Sequence, residues 1–206
     1  MNSLSFPIDT LPMLVADASV VINLNATGCA SEIIRAYEGS VVVTAIAFAE
    51  LVAGARNGHS DDKKLQALID SGTVKVVHLG ETGNTIYSSL VEGSATCTLD
   101  DGEAATIGYA HETGAVAMID ERKARNICDR EFPQMTVLST VDLLTHNVVE
   151  TALGKEGQIN AILNALRDAR MRVPTHQVEM IVNLIGDDAA ATCNSLPRTV
   201  RRYDAV

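Results

Sequence analysis

The sequence predicts an α/β domain with a parallel central sheet, helices on both faces of the sheet, and a helical extension at the C-terminal end. Short apolar runs of the kind found in buried parallel strands recur between residues 11 and 138. Stretches with helical spacing of apolar residues separate these runs. After residue 138 only the helical spacing continues. This alternation is typical of a mainly parallel sheet with right-handed crossovers.

Five segments are predicted as strands because each is short, apolar and bounded by turn residues or by a carboxylate. In chain order they cover residues 11–17, 40–44, 73–79, 115–120 and 135–138. No apolar run approaches the roughly 18 residues of a membrane-spanning helix, and no basic region precedes an apolar stretch at the N-terminus. The four cysteines are scattered, which favours reduced thiols. We therefore expect a cytoplasmic protein with no membrane partner.

Helices are predicted between the strands and after the last of them. The first group covers residues 31–38, 45–56, 61–70, 81–92, 103–113 and 121–130. A further helix could begin directly after Asp17, because aspartate is a favoured N-cap. The second group covers residues 140–149, 159–170 and 175–185, with a turn at 154–157. We expect a domain over residues 1–150 and a C-terminal helical extension and tail over residues 151–206.

The charge balance limits the classes of function. Asp and Glu number 26 against 16 Lys and Arg, which gives a formal net charge of −10. Such a chain is a poor nonspecific binder of nucleic acid, because that binding depends on counterion release by basic side chains. It can still be an enzyme that acts on nucleic acid and concentrates carboxylates at a metal site. A basic partner protein also stays open.

Two carboxylates end predicted strands, and a third lies in an apolar helix. Asp17 and Asp120 each close an apolar run, and the carboxyl ends of parallel strands meet at one edge of the sheet. Each of them could instead be a helix N-cap. Glu50 lies in the segment AIAFAELVA, which is apolar almost all round. A buried glutamate needs a partner, and the near sequence offers only Arg56.

A fourth candidate, Glu103, follows two aspartates at the start of a predicted helix. Asp100, Asp101 and Glu103 place three acids within four positions, more than a helix terminus requires. If Asp17, Glu50, Glu103 and Asp120 share one pocket, their repulsion favours a hard divalent cation such as Mg²⁺ or Mn²⁺. Such a site supports phosphodiester hydrolysis.

The segments that contain these acids resemble a known family. LVADASVVINL, TAIAFAELVAGA, LDDGEAATIGYA and VAMIDERKAR, in this order, are similar to the PIN domain family over roughly residues 11–147, with weaker similarity in 154–185. GEAATIGYA and MIDERKAR look most like the prokaryotic branch related to VapC-like toxins of toxin–antitoxin systems. The resemblance implies a parallel α/β/α fold, a ribonuclease dependent on Mg²⁺ or Mn²⁺, an RNA substrate, an antitoxin partner and a homodimer.

The resemblance also implies roles for individual residues. The catalytic acids are Asp17, Glu50, Glu103 and Asp120, and all of them except Glu50 are implied metal ligands. Supporting positions are Ser19, Asp101, Glu121, Thr140 and Asp142. The glycines usual around the threonine are replaced by Ser139 and Asp142, so the role of Asp142 stays open, including that of a ligand.

Other families with related architecture fit less well. A receiver domain needs a lysine after a late strand, a haloacid-dehalogenase-type phosphatase needs DxD after the first strand, and a dinucleotide-binding domain needs GxGxxG. The sequence has none of these in place. A PIN fold that binds without catalysis is the remaining alternative. Arg122, Lys123 and Arg125 either contact an RNA backbone or form a solvated helix face.

Overall fold

The fold is built around a five-stranded, all-parallel sheet in the order β3-β2-β1-β4-β5. A computed structural model describes residues 12–55, 60–92 and 98–200. The strands are β1 (Leu14–Ala16), β2 (Val41–Thr44), β3 (Lys75–Val77), β4 (Val116–Met118) and β5 (Val137–Leu138). Each lies within a segment predicted as a strand, and the predicted fold class is confirmed.

Helices join and cover these strands. They are α1 (Ala18–Ala26), α2 (Ala30–Ala36), α3 (Ala45–Ala55), α4 (Asp61–Asp70), α5 (Glu81–Val91), α6 (Asp101–Thr113), α7 (Arg122–Glu131), α8 (Thr140–Leu144), α9 (Asn147–Asp168), α10 (Val178–Ile185) and α11 (Asp187–Ala191). A short 3₁₀ turn, Thr175–Gln177, precedes α10. None of the helices in the described ranges combines the length and the apolar character needed to cross a membrane.

Both faces of the sheet are buried in apolar clusters. Along β1, Leu14 and Ala16 join one cluster, while Val15 joins the other. The first cluster contains buried residues of α1, α2, α3, α4 and α8 to α11. The second contains residues of α5, α6 and α7. Because successive strand residues point to opposite faces, this alternation shows that helices cover both sides.

The strand order reverses beside β1. The chain builds β1, β2 and β3 toward one edge and then returns to add β4 and β5 on the other side. Ala16 is paired with Val43 on one side and with Met118 on the other. Open parallel sheets bind ligands outside the carboxyl ends of their strands at such a reversal. This position lies next to Asp17 and Asp120.

The region after β5 differs in detail from the sequence prediction. The predicted helix over residues 140–149 is wrong in extent, because α8 ends at Leu144 and α9 begins at Asn147. The predicted turn at 154–157 appears as a kink in α9, where Gly154 has φ 69° and ψ 165°. Because α9 runs across residue 150, the division into residues 1–150 and 151–206 stays a prediction.

Candidate functional site

Asp17 lies where β1 passes into α1. It is the N-cap of α1 and is 3% exposed. Its Oδ2 accepts hydrogen bonds from the backbone N–H of Ser19 at 3.2 Å and from the Ser19 hydroxyl at 2.7 Å. Burial raises the pKa of Asp17, the bonds from Ser19 lower it, and the charge of Asp100 raises it further. The capping interpretation therefore holds, and the other oxygen, Oδ1, is directed toward α6.

Glu50 reaches the site from α3, which starts directly after β2. Thr44 at the end of β2 accepts a hydrogen bond from the Ala47 N–H at 3.1 Å and so fixes the first turn of α3. The Glu50 Oε1 accepts from the backbone N–H of Gly102 at 2.8 Å. Burial raises its pKa, and the charge of Asp17 raises it further. The alternative partner Arg56 lies outside the described residues.

Gly102 is the point where Asp17 and Glu50 converge. A Cβ at this position would lie 2.2 Å from Glu50 Oε2 and 3.0 Å from Asp17 Oδ1. A distance of 2.2 Å is far below van der Waals contact, so a side chain here would displace the Glu50 carboxylate. The absence of a side chain lets the N-terminus of α6 approach both acids.

Glu103 is the third residue of α6 and is 8% exposed. Burial, followed by the charges of Asp17, Asp100 and Glu121, raises its pKa to about 7. A hydrogen bond from the Asp100 backbone N–H lowers the pKa in part, as in the reciprocal half of a capping box. Glu103 therefore caps α6 and also belongs to the acidic cluster.

Asp120, two residues beyond β4, is held more tightly than the other acids. Its Oδ1 accepts from the Thr140 N–H at 2.7 Å, and its Oδ2 accepts from the Thr140 hydroxyl at 2.5 Å and from Asn23 Nδ2 at 2.7 Å. Burial raises its pKa, and these three bonds lower it. Thr140 thus orients Asp120 from the start of α8.

Two residues at this site have no role in the sequence prediction. Asn23 is 5% exposed, and its signal is a polar side chain among the apolar residues of α1. Asp100 raises the pKa of Asp17, Glu50 and Glu103 through its charge. It is visible in the sequence only as one of the three crowded acids at 100–103.

The remaining candidate acids make contacts outside this core. Asp101 accepts a hydrogen bond from the Tyr87 hydroxyl at 2.6 Å. Glu121 forms an ion pair with Arg172. Asp142 completes a capping box with Ser139 at the start of α8. The predicted roles of all three in catalysis or metal binding stay predictions.

The donor chemistry of the cluster fits a hard divalent cation. Its ligands are carboxylate oxygens, and burial together with neighbouring carboxylates makes their charged forms costly without a cation. Within residues 12–55, 60–92 and 98–200, no three His, Cys, Asp or Glu side chains already form a metal-ligand group. Mg²⁺ keeps several waters when protein carboxylates bind it, so it does not require a ligand group that is already closed.

A groove runs along α7, whose N-cap residue Glu121 directly follows Asp120 in the chain. It has a volume of about 350 Å³ and is lined by Glu121, Arg122, Lys123, Asn126, Ile127 and Arg130. Within it, the Lys123 ammonium donates to the Thr98 carbonyl. Arg125 instead donates to the Ile119 carbonyl at 3.1 Å, next to Asp120. The groove is therefore lined by basic side chains of the helix that follows Asp120 in the chain.

Comparisons with known proteins agree with this architecture. A family model described as a PIN domain (DUF3368) matches residues 13–187, which include the whole sheet and all four acids. No curated protein matches the chain. PIN domains are generally nucleases and typically use divalent metal ions. With most of its length matched and the expected parallel sheet in place, the chain belongs to the PIN domain family.

Proposed function

We propose that the protein is a ribonuclease that hydrolyses RNA phosphodiester bonds with the help of Mg²⁺ or Mn²⁺. The observation that carries the proposal is the convergence of Asp17 and Glu50 on Gly102, beside Glu103 with its pKa raised to about 7. Buried carboxylates that repel one another destabilise the fold unless a cation binds between them. Such an arrangement is typical of a functional site.

Asp17, Glu103 and Asp120 would hold the cation, and Glu50 would complete the shell or orient a water. When bound, the cation supplies positive charge that stabilises the phosphoryl transition state and lowers the pKa of water. Thr140 and Asn23 keep the Asp120 carboxylate in one orientation through their three hydrogen bonds. This fixed geometry limits the reorganisation needed when a substrate binds.

The groove along α7 supports RNA as the substrate class. Arg122, Lys123 and Arg130 line it, and it starts at Glu121, directly after Asp120. In a chain with a net charge of −10, a basic groove beside the acidic cluster favours local contact with a phosphate backbone over nonspecific binding. It would guide a strand toward the carboxylates.

The direct test is cleavage of single-stranded and structured RNA by protein stripped of metal, with and without added Mn²⁺. We expect cleavage only when Mn²⁺ is present. The alternative is a PIN fold that binds without catalysis, and the three hydrogen bonds on Asp120 favour it, since they occupy much of that carboxylate. Absence of cleavage together with no effect of Mn²⁺ on the melting temperature would support that alternative and overturn our proposal.

We further propose that the nuclease is the toxin of a toxin–antitoxin pair and forms a homodimer, as the VapC-like resemblance implies. Among described residues, two large hydrophobic side chains are exposed, Val52 on α3 at 45% and Met180 on α10 at 42%. Single exposed apolar residues are also common on monomers, so the resemblance carries this proposal. Light scattering of the purified protein tests the dimer, and a monomeric mass at micromolar concentration would contradict it.

A further inference from the structure

We propose that residues 171–177, which follow α9, position the Asp120 carboxylate, and that Gln177 does so through the cap of α8. This inference rests on the proposed function, because it concerns how Asp120 serves a cation. It also gives the C-terminal region a role at the site. The hydrogen bonds described above for the four acids do not come from that region, so its effect would be indirect.

The first link joins Gln177 to the start of α8. Gln177 Nε2 donates to Asp142 Oδ1 at 2.5 Å. The other oxygen, Asp142 Oδ2, accepts from the Ser139 N–H and from the Ser139 hydroxyl, both at 2.7 Å. Ser139 Oγ also lies 3.4 Å from Gln177 Oε1, but its single proton serves the nearer Asp142 oxygen. Gln177 thus binds the Asp142 oxygen that Ser139 does not use.

The second link joins the cap to Asp120. Thr140 is the first residue of α8, and both of its donors bind Asp120, the N–H at 2.7 Å and the hydroxyl at 2.5 Å. A helix of five residues has little stability of its own, so its first turn depends on its cap. Ser139 and Thr140 are both fully buried, which leaves them little freedom to compensate for a shifted cap.

An independent contact joins the same segment to the chain neighbour of Asp120. Arg172 forms an ion pair with Glu121, which directly follows Asp120 and occupies the N-cap position of α7. The segment is also anchored at both ends, because Met171 and Val178 are buried, at 1% and 9% exposure. A short segment fixed at its ends therefore makes two contacts near Asp120. It contacts Glu121, the next residue in the chain, and it contacts Asp142, which caps the helix that begins with Thr140.

Three substitutions at Gln177 separate positioning from simple loss of packing. Gln177→Met keeps the approximate shape and removes the donor. Gln177→Glu sets a carboxylate against Asp142 and repels it. Gln177→Lys restores a donor to Asp142. We expect Mn²⁺ to bind about 10-fold more weakly to the Met variant, the lower end of the effect for residues that support metal ligands. The Glu variant should be weaker still, and the Lys variant should be close to wild type.

The experiment measures Mn²⁺ dissociation constants by calorimetry, kcat and KM for RNA cleavage, and melting temperature without metal. Ser195→Ala is the matched control, because it removes one hydrogen bond from the C-terminal region, to the Leu166 carbonyl at 3.0 Å, and that bond involves neither Asp120 nor the cap of α8. The proposal is supported if Mn²⁺ affinity follows the order expected for Gln177 while Ser195→Ala keeps wild-type affinity.

Two results would overturn the proposal, and they are distinguishable. If the wild type binds Mn²⁺ and cleaves RNA, Asp17→Asn does neither, and Gln177→Glu matches the wild type, then the positioning role is wrong and the proposed function stands. If the wild type itself neither binds Mn²⁺ nor cleaves RNA, the proposed function fails and the positioning role fails with it.

Discussion

Replacement of Asp17 with asparagine is expected to lower RNA cleavage by at least about 100-fold while the protein stays folded, since even residues that only support metal ligands cost up to this factor. The amide oxygen of asparagine can take the place of Oδ2 and accept both hydrogen bonds from Ser19. The amide nitrogen then stands where Oδ1 now faces Gly102. The N-cap is kept, and one negative charge is lost from the cluster.

The same substitution at Asp120 is a poorer test. Asp120 accepts three hydrogen bonds, from Thr140 and Asn23, and an asparagine offers only one oxygen in their place. A buried donor left without an acceptor costs roughly 1–3 kcal/mol, so lost activity would be mixed with lost stability. Asp17→Asn avoids this and, without metal, should raise the melting temperature because repulsion falls.

Asp168→Asn is the control for Asp17→Asn. Asp168 is an exposed carboxylate at the end of α9, and its replacement changes the net charge by the same amount. Cleavage rates at saturating Mn²⁺ and melting temperatures without metal would be measured for all three proteins. Wild-type cleavage by Asp17→Asn would remove Asp17 from the catalytic centre.

The stability of the metal-free protein is expected to fall as pH rises from about 4.5 to about 7. The pKa of Glu103 is raised from its ordinary value of 4.5 to about 7 in the folded protein. Between these values the folded state keeps a proton that the unfolded state releases, so the free energy of unfolding decreases with pH. The full loss, reached above pH 7, is at most about 3 kcal/mol for this group. Burial raises the pKa values of Asp17, Glu50 and Asp120 too, which adds a loss of the same sign.

A divalent cation should reverse this loss, because it binds the charged carboxylates in competition with protons. We therefore expect Mn²⁺ to stabilise the protein more at pH 8 than at pH 5. Urea unfolding in EDTA across this pH range, for the wild type and Glu103→Gln, measures the effect. The Gln variant should show a flatter pH profile. Parallel profiles for the two proteins would show that Glu103 titrates normally.

The sheet could be predicted from the sequence because each strand is a short apolar run with a carboxylate or turn residue at its end. The segment at 115–120 shows this well, since β4 lies inside it and Asp120 closes it. Helix α1 was harder to predict, because its buried positions, among them Ala18, Val20 and Leu24, fall on more than one side. A helix buried all round gives no clear amphipathic period.

The acidic residues of the site could be predicted from the sequence, whereas the residues that hydrogen-bond to them or to their partners could not. Asp17 and Asp120 follow neighbouring parallel strands, so their closeness follows from the topology alone. Asn23 and Gln177 act across 97 and 35 residues of sequence, through contacts that exist only once the helices have packed. No local spacing reports such contacts, and a lone asparagine or glutamine has no motif.

The reversal of strand order beside β1 also governs when during synthesis the four acids can meet. Asp17 and Glu50 belong to the half of the sheet made first, with β1, β2 and β3, while Glu103 and Asp120 arrive with α6 and β4. A nascent chain that has not yet emerged beyond β4 lacks Asp120 altogether. Glu103 and Asp120 are repelled by Asp17 only when the two halves dock, so this repulsion opposes a late stage of assembly. If the proposed function holds, a nascent chain that ends before Asp120 has no complete acidic cluster and should not cleave RNA.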